Sequence, residues 1–367
     1  MALFALLVLA GIQILYWWYY FRRVSSLEIV NKKELTGFPK VSVVICFKGL
    51  PEDFEKNIVS VAEQDYPNFE IILVSDFSSP QDLGKMSDLI GGIKSKTPVR
   101  LINASKDIPG KKQAVYDGVL SAEGEYILFT DMDCHPVSSN WIKKMISVLT
   151  EKGESVVLGY GPMERGNNLI SWFAGFETIM TALQYFGYHL AGETYMSVGR
   201  NWMVKKSAYA NNYMKMKGGH LASGDDDLMI QAMDGKENIT FCLDPESFVY
   251  SKPKSDLIDF LQQKTRHIST SFYYPFITSV KLFLFSFSIT GYYFLAVVFL
   301  FFGKISMTLI IMISILKWII QTILHHKAFF KLDGMRHFFF YPLAEILLAI
   351  YYPVLGLYSV LIKKKSW

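Results

Sequence analysis

The hydrophobic pattern divides the chain into two apolar ends and a patterned middle. Residues 2–21 are apolar apart from Gln13, and twenty helical residues span roughly 30 Å, the thickness of one bilayer core. A second apolar region covers residues 281–367, with predicted spans at 282–302, 305–324 and 338–362. The sequence therefore predicts transmembrane helices at both ends of the chain.

The first apolar run is followed directly by two positive charges, Arg22 and Arg23. A signal peptide carries its positive charge before the apolar run and small residues after it, so residues 1–23 are interpreted as an uncleaved anchor. Because loops rich in Lys and Arg stay on the cytoplasmic side, we expect the next domain in the cytoplasm. This pattern predicts an integral protein of the inner or plasma membrane.

The C-terminal region leaves its topology open. Three residues interrupt the last predicted span, Pro342, Glu345 and Pro353. The positive-inside rule places both the 325–337 loop and the cluster 363–365 in the cytoplasm, which a single crossing cannot satisfy. Segment 338–362 is therefore re-entrant or interfacial, or one cluster breaks the rule, and two or three C-terminal spans remain open. Lys317 is a functional candidate as an intramembrane charge, or it snorkels towards the polar residues that follow it.

The middle of the chain alternates between strand and helix patterns. Apolar, β-rich runs occur at 41–47, 69–76, 99–102 and 125–129, with helical periodicity between them. This alternation predicts an α/β domain with a mostly parallel sheet and helices on both faces. The chain contains neither a G-x-G-x-x-G nor a G-x-x-x-x-G-K-[ST] motif, so neither a dinucleotide fold nor a P-loop is supported.

Two carboxylates follow the fourth of these strands, at Asp131 and Asp133. Carboxyl ends of parallel strands share one edge of a sheet, so this pair and Asp76, which ends the second strand, are expected along the same edge. Hard oxygen ligands at this spacing suit a divalent cation such as Mg²⁺ or Mn²⁺ that keeps positions open for phosphate oxygens. We hypothesise that the pair holds a metal-bound nucleotide diphosphate. The alternative is an ordinary solvated or helix-capping loop.

Composition supports a chain split between membrane and cytoplasm. The hydrophobic fraction is 51% and the formal net charge is +4. The basic residues are dispersed or flank apolar runs, which favours membrane flanks over nucleic-acid binding. The three cysteines, at 46, 134 and 242, are far apart and have no metal-ligand spacing, as in a reduced cytosolic domain.

Residues 40–268 resemble the nucleotide-diphospho-sugar domain of family 2 glycosyltransferases, which has the GT-A fold. The resemblance rests on motifs in the family's order: Val41–Ile45, Gln64–Pro67, the strand ending at Asp76, Gly110–Ala114 and Asp131–Cys134. It implies that Asp76 contacts the nucleoside, that Asp131 and Asp133 bind metal and diphosphate, and that Lys111 or Lys112 lies near the donor. The family often has Asn-Glu where this chain has Gly49-Leu50, and Asp-Asp where it has Asp76-Phe77.

Three consecutive acids, Asp225, Asp226 and Asp227, follow Gly224 and precede a helical pattern. Acids at a helix N-terminus interact favourably with its dipole, but three crowded carboxylates also repel one another. Such crowding raises carboxylate pKa values, as a general base working near neutral pH requires. The segment resembles the family's catalytic-base motif. It places the base on Asp226 when aligned on the glycine, and on Asp227 when aligned one residue later.

A later segment resembles the Gln-x-x-Arg-Trp motif of membrane-bound members such as cellulose and chitin synthases and ceramide glucosyltransferase. Gln263 and Arg266 match, and His267 replaces the tryptophan. The resemblance implies a donor-side position for Gln263, a donor-diphosphate contact for Arg266, whose guanidinium can form two charge-assisted bonds, and an acceptor-side position for His267. Gly199 and Asn201 resemble the family's Gly-x-Asn near the acceptor. Loss of the tryptophan favours a single transfer over a processive synthase.

These patterns predict an anchor at 1–23, a glycosyltransferase domain at 38–255, an interfacial Gln-x-x-Arg-His segment at 256–275 and a membrane region at 276–367. Segment 169–189 is aromatic and almost uncharged, so it is a core helix or, as we favour, a helix lying on the bilayer. The expected function is inverting transfer from a UDP or GDP sugar to a lipid-linked or membrane-embedded acceptor. The alternatives are a processive polysaccharide synthase and a non-catalytic sugar-nucleotide-binding membrane subunit; a transporter would need more spans.

Overall fold

The chain divides into two compact units in the structure, a computed structural model that describes residues 2–27, 37–93, 97–105, 110–218, 224–302 and 306–361. The membrane unit comprises Met1–Glu28, Arg165–Thr194 and Lys254–Lys363. The sheet unit comprises chiefly Ile29–Glu164 and Tyr195–Pro253. Each unit is described by itself below.

The described residues form nine β strands and fourteen α helices. The strands are β1 (Val41–Phe47), β2 (Phe69–Ser75), β3 (Val99–Asn103), β4 (Tyr126–Asp131), β5 (Cys134–Pro136), β6 (Val156–Leu158), β7 (Trp202–Lys205), β8 (Ile239–Phe241) and β9 (Val249–Ser251). The helices are α1 (Ala2–Tyr16), α2 (Arg22–Ser26), α3 (Phe54–Ala62), α4 (Pro80–Gly92), α5 (Lys111–Ser121), α6 (Trp141–Lys152), α7 (Leu169–Leu190), α8 (Lys206–Tyr213), α9 (Asp227–Met233), α10 (Leu257–Ser271), α11 (Phe276–Phe302), α12 (Met307–Lys331), α13 (Met335–Phe338) and α14 (Tyr341–Leu361).

The sheet unit is built on a seven-stranded sheet of order β3-β2-β1-β4-β7-β6-β8. β1 pairs in parallel with β2 and β4, β2 with β3, and β6 with β8, whereas β7 runs antiparallel to β4 and β6. Every residue of β1 and of β2 is buried, which explains why these strands read as continuous apolar runs rather than as alternating ones. The predicted α/β fold with a mostly parallel sheet is confirmed.

Strand register determines which residues lie side by side at the sheet edge that carries the candidate site. Cys46 of β1 lies opposite Asp131 of β4, and Phe47 lies opposite Ser75 of β2. After β1 the chain adds β2 and β3 on one side of it and then β4 on the other side. The carboxyl ends of β1, β2 and β4 therefore border the crevice where ligands bind in open α/β sheets. α5 packs closely on this sheet because it carries Gly118, where an added Cβ would lie 2.6 Å from Val44 Cγ1.

The membrane unit contains four helices long and apolar enough to cross a membrane, among the residues described. These candidate spans are Leu3–Ser26, Phe276–Phe302, Met307–Lys331 and Tyr341–Leu361. The first joins α1 to α2 through a π-helical turn, Trp17–Phe21. It continues three residues beyond the predicted end of the anchor at residue 23.

The C-terminal helices differ from the predicted pattern. α12 continues to Lys331, and His325 within it packs against the rings of Trp17 and Tyr341, with centroid distances of 4.7 and 4.4 Å. Much of the expected 325–337 loop is therefore helical. α14 is one helix through Pro353, and membrane helices tolerate proline when their surroundings satisfy the freed backbone group. The cluster 363–365 lies outside the described residues.

The predicted snorkelling of Lys317 is wrong, because its side chain is buried in the membrane unit. Its Nζ donates to the Glu345 carboxylate and, at 3.0 Å, to Gln13 Oε1. The Glu345 carboxylate also accepts bonds from four further side chains, Tyr293, Trp318, Gln321 and Tyr341. This network joins α1, α11, α12 and α14, and it explains why a buried glutamate can occupy an apolar helix.

The predicted bilayer-surface position for segment 169–189 is also wrong. These residues form α7, most of whose side chains are buried within the membrane unit. Tyr188 stacks on Tyr20 with a centroid distance of 4.1 Å, and a Cβ at Gly187 would lie 2.9 Å from the Tyr20 carbonyl oxygen. α7 is a core helix, so residues 165–194 interrupt the continuous 38–255 domain that we predicted.

Candidate functional site

The Asp-x-Asp pair sits on a turn that separates its two carboxylates from the core. Asp131 ends β4 and is partly exposed, Met132 is buried, and Asp133 is exposed. Asn57 Nδ2 donates to the Met132 carbonyl oxygen at 3.0 Å and fixes this turn. The alternation of an exposed, a buried and an exposed side chain leaves both carboxylates available at the sheet edge.

The donor set suits a hard divalent cation. Ligand atoms of Asp131, Asp133 and Cys134 lie within 4.8 Å of one another. Burial raises the pKa of the Cys134 thiol well above its usual range, and the two carboxylates raise it further, so the thiol stays neutral. Asp131 and Asp133 are therefore the residues that would hold Mg²⁺ or Mn²⁺, ions that prefer oxygen ligands and leave positions for phosphate and water.

Lys111 connects this pair to the acid cluster. Its Nζ lies 2.8 Å from Asp131 Oδ1 and 3.4 Å from Asp225 Oδ2, and its side chain is only 15% exposed. Burial alone would lower the pKa of the ammonium. The carboxylates of Asp131, Asp225 and Asp226 outweigh burial, so the pKa of Lys111 is well above its ordinary value. Lys111 is consequently a fixed positive charge between two groups of acids.

The position of Lys111 follows from the start of α5. The backbone N–H of Gly110 donates to both carboxylate oxygens of Asp76, at 3.1 and 3.0 Å. Asp76 is fully buried at the end of β2, so it ties the first turn of α5 to the sheet edge. The nucleoside contact expected of Asp76 remains a prediction.

The structure separates the two lysines that the sequence could not distinguish. Lys112 Nζ donates to the backbone carbonyl of Gly218 at 2.5 Å. Burial lowers the pKa of Lys112, although Asp225 and Asp226 act in the opposite direction. Of the two, Lys111 is therefore the residue that reaches the Asp-x-Asp pair.

The acid cluster forms a turn at the start of α9. Gly224 has a left-handed φ of +86°, which glycine adopts at little cost, and the Asp226 carbonyl accepts the N–H of Ile230 at 2.9 Å. Asp225 and Asp227 are buried, whereas Asp226 is partly exposed. Burial raises the pKa of Asp226 well above its ordinary value, Asp227 and Asp225 raise it further, and Lys111 opposes them. Asp226 is therefore an accessible carboxylate with enhanced basicity.

The two residues predicted on the acceptor side have different environments. A Cβ at Gly199 would lie 3.0 Å from Asp226 Oδ2 and 3.6 Å from Lys111 Nζ, so this glycine leaves space beside the acid cluster. Asn201 is fully buried. Its Oδ1 accepts from Trp141 Nε1, and its Nδ2 donates to the carbonyls of Tyr160 and Ser247. These three bonds give the Asn201 amide a packing role, and the acceptor contact predicted for Asn201 remains a prediction.

The predicted Gln-x-x-Arg-His residues lie on α10 of the membrane unit. The buried face of α10 includes Lys264, which forms an ion pair with Glu177 of α7. Gln263 and Arg266 are partly exposed and His267 is exposed. Their roles towards donor and acceptor remain predictions.

Two features of the site edge were not assigned a role from the sequence. The thiol of Cys46 is buried, and burial raises its pKa; Lys111 opposes this change, and the carboxylates of Asp225, Asp131 and Asp76 add to it. The available signal in the sequence was its position near the end of the first predicted strand. Phe77 has a left-handed φ of +60° and a ring that is 48% exposed. A bulky residue rarely adopts this conformation, and the departure from the family's Asp-Asp pattern pointed to this position.

Comparisons with known proteins agree with this geometry. Residues 42–211 match the family described as Glycosyl transferase family 2. The chain is 29% identical over 114 residues to the O-antigen biosynthesis protein RfbC of Myxococcus xanthus, covering 30% of this chain and 8% of that protein. It is 29% identical over 137 residues to glycosyltransferase GlyG of Streptococcus pneumoniae, covering 37% and 44%. The chain thus spans less than half the length of these two curated relatives.

The fold is also similar to a solved structure, the mannosyltransferase PcManGT from Pyrobaculum calidifontis in complex with GDP-Man and Mn²⁺. The TM-score is 0.65 at 13% sequence identity, and the match covers 99% of both chains. At this identity the likeness concerns the fold alone. Residues 42–211 therefore match the family 2 glycosyltransferases, and the sheet unit that contains most of them has the GT-A fold.

Proposed function

We propose that the protein is an inverting glycosyltransferase that moves a sugar from a nucleotide-diphosphate sugar to a lipid-linked or membrane-embedded acceptor at the cytoplasmic membrane face. One observation carries the proposal. Lys111 contacts both Asp131 of the Asp-x-Asp pair and Asp225, the neighbour of the basic carboxylate Asp226. The proposed diphosphate-binding pair and the acid cluster that contains the proposed base are therefore both in contact with the Lys111 side chain.

In the proposed reaction, Asp226 removes the proton of the acceptor hydroxyl as the hydroxyl oxygen attacks the anomeric carbon. The bond from that carbon to the diphosphate oxygen breaks, and the nucleoside diphosphate departs with the electron pair. Displacement in one step inverts the anomeric centre and needs no covalent enzyme intermediate. A divalent cation held by Asp131 and Asp133 would neutralise charge on the diphosphate, and Lys111 adds a second positive charge there.

The membrane acceptor is supported by the four apolar helices that the described residues contain. Single transfer is favoured over processive synthesis because His267 stands where processive members have tryptophan. The donor is a UDP or GDP sugar. A non-catalytic sugar-nucleotide-binding subunit is the second candidate, and turnover of the wild-type protein that is lost in Asp226→Asn excludes it.

Calorimetric titration of UDP and then GDP into the detergent-purified full chain, with and without Mn²⁺, tests the donor site. We expect one nucleotide to bind in a Mn²⁺-dependent manner and Asp133→Asn to weaken that binding by about 10- to 100-fold, the usual effect of disturbing a metal centre. Asp133 is exposed, so the fold should survive. Asp88→Asn, at an exposed position on α4, is the matched control. Unchanged nucleotide binding in Asp133→Asn would refute the donor-site assignment.

A further inference from the structure

We propose that Lys111 acts as an internal counter-cation on Asp131, so that the divalent cation and the donor diphosphate bind as a coupled pair rather than independently. The inference rests on the proposed function and concerns how the same site is loaded. It makes Lys111 a positioning residue whose ammonium occupies Asp131 until a diphosphate arrives.

The contacts of Lys111 put it in competition with a cation. Its Nζ is 2.8 Å from Asp131 Oδ1, the carboxylate that the metal would need. Two positive charges a few ångströms apart in a partly buried site repel each other strongly. A cation arriving alone must therefore displace the ammonium from Asp131 and leave it with the more distant Asp225, whose Oδ2 lies 3.4 Å from Nζ. Losing the shorter of two ion pairs is costly for a buried ammonium.

A diphosphate removes this conflict. Its oxygens provide new anionic partners for Lys111, and Asp225 Oδ2 already lies 3.4 Å from Nζ. The backbone need not move, because Asp76 holds the Gly110 N–H at the start of α5. Rotation of one unbranched side chain is enough to transfer the ammonium from Asp131 to the diphosphate and free the carboxylate for the cation.

The next residue in the chain supplies a matched control. Lys112 carries the same charge, but its Nζ donates to the Gly218 carbonyl. Lys112→Met therefore removes one positive charge close to the site without removing the contact to Asp131. It separates a general electrostatic effect from the specific competition at Asp131.

The test is Mn²⁺ titration of the detergent-purified full chain, followed by electron paramagnetic resonance, first without nucleotide and then with UDP or GDP. We expect Lys111→Met to bind Mn²⁺ alone at least about tenfold more tightly than wild type, equivalent to ~1.4 kcal/mol. The nucleotide should then enhance Mn²⁺ binding less in this variant than in wild type. Lys112→Met should change the Mn²⁺ affinity by less than about threefold, and Lys111→Arg, which keeps the charge, should stay close to wild type.

The outcomes separate this inference from the proposed function. If wild type shows nucleotide-dependent Mn²⁺ binding but Lys111→Met binds Mn²⁺ alone no more tightly, the counter-cation role is overturned and the donor site stands. An equal gain in Mn²⁺ affinity in Lys112→Met would also overturn it, since the effect would then come from the loss of any nearby positive charge and not from the contact with Asp131. If neither wild type nor Lys111→Met binds Mn²⁺ with either nucleotide, both proposals fail.

Discussion

Replacing Asp226 with asparagine should abolish sugar transfer while stabilising the fold. A positioned general base contributes about 10²- to 10⁴-fold to rate, so we expect a loss in kcat of that size. Stability should change in the opposite direction, because burial and the carboxylates of Asp227 and Asp225 raise the pKa of Asp226 despite Lys111. Asparagine keeps the shape and removes the charge. The gain should be about 0.5–2 kcal/mol, or roughly 2–4 °C in Tm per kcal/mol for a domain near 200 residues.

The Tm difference between Asp226→Asn and wild type should change with pH in a defined direction. A carboxyl whose pKa is raised on folding favours the folded state while protonated, and that contribution is lost as pH rises through the folded-state pKa. The Tm advantage of Asp226→Asn should therefore be present at neutral pH and shrink as pH falls. For the wild-type enzyme, kcat/KM should fall on acidification at a pH above the ordinary aspartate range of about 4.

Transfer of radiolabelled sugar into extracted membrane lipid and differential scanning fluorimetry measure the two effects. Asp227→Asn is the matched control, since it removes a neighbouring charge from a buried side chain. A Tm for Asp226→Asn below that of wild type at neutral pH would refute the electrostatic reasoning. Retained transfer in Asp226→Asn, with transfer lost in Asp227→Asn, would move the base by one residue.

Three further changes test other parts of the molecule. Asn201→Ala removes three buried hydrogen bonds and should cost about 3 kcal/mol of unfolding free energy, measured by chemical denaturation; a cost near zero contradicts its packing role. Glu345→Leu leaves the buried Lys317 ammonium without its carboxylate and should lower the free energy of unfolding by about 3–5 kcal/mol, with part of this loss recovered in Glu345→Leu/Lys317→Met. If the losses of the two single variants simply add in the double variant, measured by unfolding in detergent, the network is contradicted. His267→Trp should leave product length unchanged by chromatography, and long products would show that this side chain alone prevents processive synthesis.

The sequence predicted those parts of the fold whose signals are local. β1, β2, β3 and β4 were found because buried parallel strands are continuous apolar runs, and the Asp-x-Asp pair because it directly follows such a run. The sequence could not show which of Lys111 and Lys112 points towards the Asp-x-Asp pair. Their side-chain directions depend on how the first turn of α5 is oriented, and the hydrogen bonds from Gly110 to Asp76 fix that orientation.

Non-local contacts account for the incorrect predictions. Lys317 looked like a snorkelling residue because its partner Glu345 lies 28 positions later on another helix. The packing of Asn201 could not be predicted either, because its three hydrogen-bond partners come from separate segments. Segment 169–189 looked interfacial because its aromatic side chains can face lipid or protein equally well, and only the packing against Tyr20 and other core residues decides between the two.

Two carboxylates of the sheet unit, Glu70 and Asp226, show how a structural charge differs from a reactive one. Glu70 accepts bonds from the Ser42 hydroxyl at 2.6 Å, the Glu123 N–H at 2.7 Å and Arg100 at 2.7 Å. Burial alone would raise the pKa of Glu70, but these partners outweigh burial and lower it. Asp226 has two acids as neighbours instead, and its pKa moves the other way. A carboxylate whose negative charge is stabilised by hydrogen bonds and a cation, like that of Glu70, is a poor proton acceptor. The charge of Asp226 is stabilised less, which destabilises the fold locally but gives the carboxylate the basicity that a general base requires.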